Sequence, residues 1–107
     1  MNYKNKQWKN LRERILKRDG YACQECKRYG RSKQATMVHH IFPANDIPEY
    51  QYLSDNLISL CNTCHNKLHD RNSDDLTDKG QKVLERYRER IEAAWQRRQA
   101  LTESEQK

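Results

Sequence analysis

The sequence predicts a small α+β domain that is held together by a metal site. Two short apolar runs with strand character, at residues 35–38 and 57–60, lie between two amphipathic helical patterns. Two C-x-x-C pairs flank these runs. The chain has 107 residues, of which 35% are hydrophobic and 34% are charged, so we expect one domain with a thin core. Domains with so little core are often completed by a metal ion or by disulfides.

The N-terminal pattern predicts a helix over residues 5–18. Trp8, Leu11 and Ile15 recur at helical spacing and form one apolar stripe. Lysines and arginines occupy most of the remaining positions. Gly20 follows as a helix stop.

The C-terminal pattern predicts a second amphipathic helix over residues 80–98. Its apolar stripe consists of Leu84, Tyr87, Ile91 and Trp95. This stripe either closes the core or forms the interface of a homodimer. Asn62 or Thr63 is expected to cap a shorter helix that runs through Asp70, and residues 101–107 are expected to be frayed.

Four cysteines have the spacing of a structural zinc site: Cys23, Cys26, Cys61 and Cys64. Two C-x-x-C knuckles separated by a spacer supply four thiolates to one tetrahedral ion. The N-terminus shows no apolar stretch behind its positive charges, so we expect no signal peptide. The reducing cytoplasm then disfavours disulfides. Two alternatives stay open, namely redox-active cysteine pairs and a site of two cysteines with His65 and His69.

Positive charge is concentrated at the N-terminal end. Residues 1–33 hold 11 of the 21 lysines and arginines but only 3 of the 15 acidic residues. Such a one-sided excess is typical of proteins that bind the phosphate backbone of nucleic acids, although a solvated helix face has the same composition. No apolar run approaches the ~20 residues of a membrane-spanning helix. The composition therefore favours a nucleic-acid partner and no membrane partner.

The region between and around the knuckles carries a motif in several parts. Residues 38–43 read VHHIFP, residues 55–65 read DNLISLCNTCH, and His69 follows. With the cysteine pairs, these parts resemble the HNH endonuclease family over roughly residues 20–70. Each part alone is a weak signal, whereas their combined order is specific. The resemblance implies a ββα-metal (HNH/His-Me finger) core with four-cysteine zinc knuckles and flanking helices, in a single domain over residues 1–107.

The resemblance also assigns site residues by position. His40 aligns with the general base, Asn56 with the residue that pins the loop and helps orient that base, and His65 with the last histidine of the motif. His39 and His65 align with ligands of a catalytic divalent ion, and His69 aligns with a third ligand or a phosphate contact. Many family members carry Asp at the position of His39. Because imidazole and carboxylate prefer different ions, the metal is left open among Mg²⁺, Mn²⁺, Ni²⁺ and Zn²⁺.

Hydrolysis of a phosphodiester bond explains why these residue types are needed. Histidine takes a proton from water near neutral pH, and a divalent ion stabilises charge on the phosphoryl and leaving oxygens. The predicted function is a metal-dependent endonuclease that nicks or cuts double-stranded DNA in the cytoplasm of a bacterial or phage-infected cell. A role in phage packaging, with a packaging partner, and a restriction role both stay open. The first helix and knuckle supply the expected phosphate contacts, Lys9, Arg12, Lys17, Arg18, Lys27, Arg28 and Arg31.

The alternative function is a catalytically silent zinc-ribbon module that binds DNA. It explains the cysteines and the charge, but it does not explain His40 and Asn56, because a four-cysteine site needs neither. A thiol redox protein explains neither the histidines nor the charge. Nuclease activity should depend on added divalent ion and on His40, whereas a binding module depends on neither.

Overall fold

The computed structural model describes residues 2–70 and 75–105. Within these ranges no helix is both long enough and apolar enough to cross a membrane. Two 3₁₀ turns, Pro48–Tyr50 and Ser54–Asn56, lie in the loop between the strands. The helices and strands, in chain order, are α1 (Lys6–Arg18), α2 (Gln24–Arg28), β1 (Met37–His40), β2 (Leu57–Leu60), α3 (Asn62–Leu68) and α4 (Asp78–Glu105).

The two strands form an antiparallel pair that positions the histidine motif. Met37 lies opposite Leu60, and His40 lies opposite Leu57. The histidines of β1 are therefore at the end of the strand where the long loop over residues 41–56 begins. Helix α3 follows β2 after a single residue, so both strands and this helix form one ββα unit.

Strand β2 is buried along its whole length because helices cover both of its faces. Leu57 packs against the apolar stripe of α1, whereas Ile58 and Leu60 belong to the larger core on the opposite face. The predicted α1 stripe is confirmed, since Trp8, Leu11 and Ile15 are all buried. The side chain of Asn5 caps this helix by accepting a hydrogen bond from the Trp8 backbone N–H.

Helix α4 closes the larger core and is longer than the predicted 80–98. Leu84 and Ile91 are buried, and Tyr87 and Trp95 pack against the same cluster. The stripe therefore serves the core of this chain. The helix continues to Glu105 because the residues after 98 include neither glycine nor proline and are mostly good helix formers. Residues 101–105 are thus helical, which differs from the expected fraying, and 106–107 lie outside the described residues.

Helix α3 is shorter than the predicted helix through Asp70. It begins at Asn62 and ends at Leu68, and its cap is the Cys61 thiol, not Asn62 or Thr63 as expected. His69 is extended instead and forms an isolated β-bridge with Leu76. This bridge takes His69 out of the helix. The strand β1 also begins later than the run at 35–38, and the first knuckle contains the short helix α2, which the sequence pattern did not predict.

Substitution of Gly80 by alanine is expected to destabilise the fold, although alanine is the better helix former. A Cβ at this position would overlap the backbone carbonyl oxygen of Leu68, where α4 crosses α3. Since a backbone atom cannot move aside cheaply, we expect a loss of about 1–3 kcal/mol in the free energy of unfolding. Thermal denaturation of Gly80→Ala checks this, with exposed Gln81→Ala as the matched control. Equal melting temperatures for the two variants would contradict the close approach.

Candidate active site and metal centres

The two C-x-x-C pairs come together as one cluster. Their four sulfur atoms lie within 4.8 Å of one another, and Cys26 Sγ is 3.9 Å from Cys61 Sγ and 3.7 Å from Cys64 Sγ. These separations are far longer than a disulfide bond. Sulfurs on a tetrahedral zinc ion, with bonds of ~2.3 Å, lie about 3.8 Å apart. The cluster therefore fits zinc, and it unites the cysteines that two separate redox pairs would keep apart.

Each knuckle is built in the same way at the start of a helix. Cys23 and Cys61 are the N-caps of α2 and α3, and each thiol accepts a hydrogen bond from the backbone N–H three residues later. Burial opposes ionisation, but the backbone hydrogen bond from Cys64 and the neighbouring thiols outweigh it and lower the pKa of Cys61 to about 7. Burial raises the pKa of Cys26 and Cys64. The Cys61 thiolate therefore forms readily, whereas the thiolates of Cys26 and Cys64 need a cation nearby.

A second cluster consists of His39, His65 and His69, and their ring nitrogens lie within 4.8 Å of one another. His69 Nε2 is 2.9 Å from His39 Nδ1. The His65 ring centroid lies 5.7 Å from that of His39 and 5.1 Å from that of His69. The strand, the helix and the residue that follows it thus each contribute one imidazole. Because His65 and His69 belong here, they are not ligands of the cysteine cluster.

The three-histidine cluster has the properties of a metal site. Among the described side chains, His39 Nε2 and His65 Nδ1 are buried without a hydrogen-bond partner. Such an atom costs about 1–3 kcal/mol, which a bound cation offsets. Burial, followed by the neighbouring histidines, holds the pKa of His39 well below its usual range, and burial also lowers the pKa of His65. The lowered pKa values favour the neutral rings of His39 and His65, which is the form that binds metals.

His40 has a different environment from its neighbour His39, because adjacent residues of a strand point to opposite sides. Its ring stacks on the indole of Trp8, with centroids 5.0 Å apart and planes 18° apart. Its Nε2 is 3.0 Å from the carbonyl oxygen of Gln51. A carbonyl only accepts, so Nε2 carries the hydrogen and Nδ1 carries a lone pair. Burial lowers the pKa of His40 and outweighs the opposite effect of this hydrogen bond.

Asn56 fixes the loop between the strands from a fully buried position. Its Oδ1 accepts a hydrogen bond of 2.7 Å from the Phe42 N–H, and its Nδ2 donates to the carbonyl oxygens of Phe42 and Tyr50. The two ends of the loop are thereby tied to one side chain. Tyr50 directly precedes Gln51, so the same contacts help to position the carbonyl that binds His40.

The three-histidine cluster and His40 line one open cleft of about 610 Å³. Arg12 lies at its edge and donates a hydrogen bond of 2.9 Å to the Thr36 carbonyl oxygen. A guanidinium has five N–H donors, so Arg12 retains donors for a ligand. Among the other expected phosphate contacts, the following side chains are exposed: Lys9, Lys17, Lys27, Arg28 and Arg31.

Arg18 is exposed as well, but it has structural partners. Its guanidinium donates to the carbonyl oxygens of Ser54, at 2.9 Å, and Leu57, at 2.7 Å. It also pairs with Asp19 at 2.9 Å. The side chain therefore ties the end of α1 to the loop and to β2, which is a structural role.

Sequence reasoning missed two partners of His40. Trp8 has the helical spacing of a core residue, which correctly predicts its burial but not its stacking on an imidazole. Gln51 binds His40 through its backbone carbonyl oxygen, and a pattern of side chains cannot predict a contact that the backbone makes. The packing of α1 against β1 brings Trp8 to the His40 ring, and the loop over residues 41–56 brings the Gln51 carbonyl oxygen.

Comparison with known proteins gives the family. The HNH endonuclease profile matches residues 23–71, which include all four cysteines and all four histidines. The structure is similar to that of the HNH endonuclease of the deep-sea thermophilic bacteriophage GVE2, crystallised with a manganese ion. The similarity covers 60% of this chain and 70% of that one, at 36% sequence identity and a TM-score of 0.59. A search of curated proteins gave no significant match. With the ββα unit and both clusters in place, this chain belongs to the HNH endonuclease family and is a nuclease.

Proposed function

We propose that the protein is a metal-dependent DNA endonuclease in which His40 is the general base and the three-histidine cluster holds the catalytic ion. The observation that carries this proposal is the shared cleft, which places the cluster and His40 around one space. A zinc-ribbon module that only binds DNA has no use for a second cluster of imidazoles.

His39, His65 and His69 would hold the ion through their ring nitrogens. When bound, a divalent ion there stabilises negative charge on the phosphate and on the leaving oxygen. Three imidazoles favour a transition ion over Mg²⁺. The phage enzyme was crystallised with manganese, so Mn²⁺, Ni²⁺ and Zn²⁺ are the ions we propose to test first.

His40 supplies the proton acceptor. Its Nδ1 takes the proton of the attacking water, while Nε2–H stays bound to the Gln51 carbonyl oxygen and stabilises the imidazolium that forms. Trp8 holds the plane of the ring. Asn56 acts as a positioning residue, because it fixes the loop that carries Gln51. Arg12, at the edge of the cleft, is placed to contact a phosphate.

We further propose that a single chain nicks its substrate, because one such site cuts one strand. The exposed basic side chains of α1 and α2 would hold the duplex through its phosphates, without reading its sequence. The similarity to a phage enzyme supports a setting in phage DNA processing. A packaging partner and a homodimer stay predictions.

The test is a cleavage assay on supercoiled plasmid, with protein stripped of its labile metal. Mn²⁺, Ni²⁺, Zn²⁺, Mg²⁺ or no ion is added after the zinc content of the cysteine cluster has been verified. We expect conversion to open circle only with added ion, and loss of it in His65→Ala. Asn62→Ala, on the exposed side of the same helix, is the matched control and should cleave normally.

Two results would contradict the proposal. Cleavage that persists in the wild type without any divalent ion would remove the catalytic role of the cluster. Absence of cleavage with every ion, while the protein still shifts DNA mobility, would leave the silent binding module.

A further inference from the structure

A second groove lies on the other side of helix α3. This helix presents His65 to the catalytic cleft, whereas Cys64 and Lys67 line the second groove. One part of the groove, of about 310 Å³, lies between α3 and α4, and an adjoining part runs over the cysteine cluster. We call both parts together the knuckle groove. Its exposed basic side chains come from separate segments of the chain and are Arg31, Lys33, Lys67, Lys79 and Lys82.

The positive charge of the knuckle groove is not neutralised from within. Glu25 is the one carboxylate among its lining residues, and it pairs with Arg86 at 3.0 Å. Among the described residues, none of the five basic side chains takes part in an ion pair. The Lys33 ammonium donates a hydrogen bond to the neutral hydroxyl of Thr63, at 3.4 Å. Like charges gathered in this way repel one another until an anionic partner binds.

We propose that the knuckle groove binds the phosphate backbone of the DNA substrate, away from the bond that is cleaved. This inference rests on the proposed function, because that function supplies the polyanion. Lysine and arginine contacts to phosphates supply most of the affinity for DNA without reading sequence. Tyr29 lines the same groove with 64% of its surface exposed, and its hydroxyl is a further donor of the kind that contacts phosphates.

The two sites have different lining residues on α3, so a short duplex held in the catalytic cleft does not reach the knuckle groove. The longest dimension of the protein is 47 Å, which corresponds to about 14 base pairs at ~3.4 Å per pair. We therefore expect the knuckle groove to contribute to the binding of a duplex of about 30 base pairs. It should contribute little to a duplex of about 10 base pairs that occupies the catalytic cleft.

The test compares two double variants on α4. Lys79→Gln with Lys82→Gln removes two charges from the groove, and Arg97→Gln with Arg98→Gln removes two exposed charges from a distant part of the same helix. Glutamine keeps the helix propensity in both cases, and circular dichroism verifies the fold. Binding of a fluorescent duplex of about 30 base pairs is measured by anisotropy over a range of salt concentrations, without added divalent ion.

For the double variant Lys79→Gln with Lys82→Gln, we expect the dissociation constant for the duplex of about 30 base pairs to rise on the order of tenfold at about 0.1 M salt. The slope of log affinity against log salt should become shallower by about 2. The control variant, Arg97→Gln with Arg98→Gln, should bind this duplex as tightly as the wild type does. With the duplex of about 10 base pairs, all three proteins should bind alike.

Other results would overturn the inference. An equal loss of DNA affinity in both double variants would show a general effect of net charge. Unchanged DNA binding in Lys79→Gln with Lys82→Gln would assign the groove to another anion, such as an acidic protein segment. If the wild type cleaves DNA in the same preparation, either result overturns only this inference, and the proposed function stands. If the wild type neither binds nor cleaves DNA, the proposed function fails and the inference fails with it.

Discussion

Replacing His40 by alanine is expected to lower the rate of DNA cleavage by about 10²–10⁴-fold, the usual contribution of a general base. The binding of the divalent ion should stay near the wild-type level, because His40 is not part of the three-histidine cluster. Single-turnover cleavage at saturating metal measures the first effect. Calorimetric titration with Mn²⁺ measures the second.

The companion variant His40→Gln separates catalysis from structure. Glutamine retains an N–H donor for the Gln51 carbonyl oxygen and can still pack on Trp8, but it cannot accept a proton. We therefore expect it to fold and bind metal normally while being as inactive as the alanine variant. His39→Ala is the opposite control, since it should lose metal affinity. A variant of His40 that cleaves at the wild-type rate would place the base elsewhere, and one that loses the metal would make His40 a ligand.

Much of this fold was predictable because the relevant signals are local. Each C-x-x-C sequence forms its knuckle locally, and the spacing of apolar residues in α1 depends on helix geometry alone. The resemblance to the HNH family implied that His39 and His65, with His69 as a third ligand or a phosphate contact, hold one ion, and the three rings lie together in the structure. His69 nevertheless left the predicted helix, because its bridge to Leu76 is a contact between segments. Local spacing gives no information on such a contact.

Contacts between distant segments explain the other differences. Lys17 and Arg18 look equivalent in the sequence and both are exposed, yet Arg18 also contacts two backbone carbonyl oxygens and a carboxylate. The knuckle groove has the same origin. The last 37 residues hold almost equal numbers of basic and acidic residues, so charge counting shows no excess there. Folding places Lys79 and Lys82 beside Lys67 and so concentrates their charge.

Removing the metal from the four-cysteine cluster is expected to abolish the cooperative unfolding transition of the whole domain. Cys23, Cys26 and Cys61 lie within the larger core, at 0%, 5% and 2% exposure. They tie α2 to α3 across a thin core. A structural zinc ion contributes about 10–16 kcal/mol in small zinc-binding domains, which matches or exceeds the whole stability of a typical domain, about 5–15 kcal/mol.

The measurement is thermal unfolding monitored by circular dichroism. It compares the wild type, the wild type with a strong chelator, and Cys26→Ser. Both treatments should give a broad transition without a defined midpoint. The double variant His65→Ala with His69→Ala removes the ligands of the catalytic cluster only, so it should retain a cooperative melt while losing cleavage. If chelated protein melts at the wild-type temperature, the apolar core alone stabilises the domain. The cysteines would then have to be explained by something other than structure.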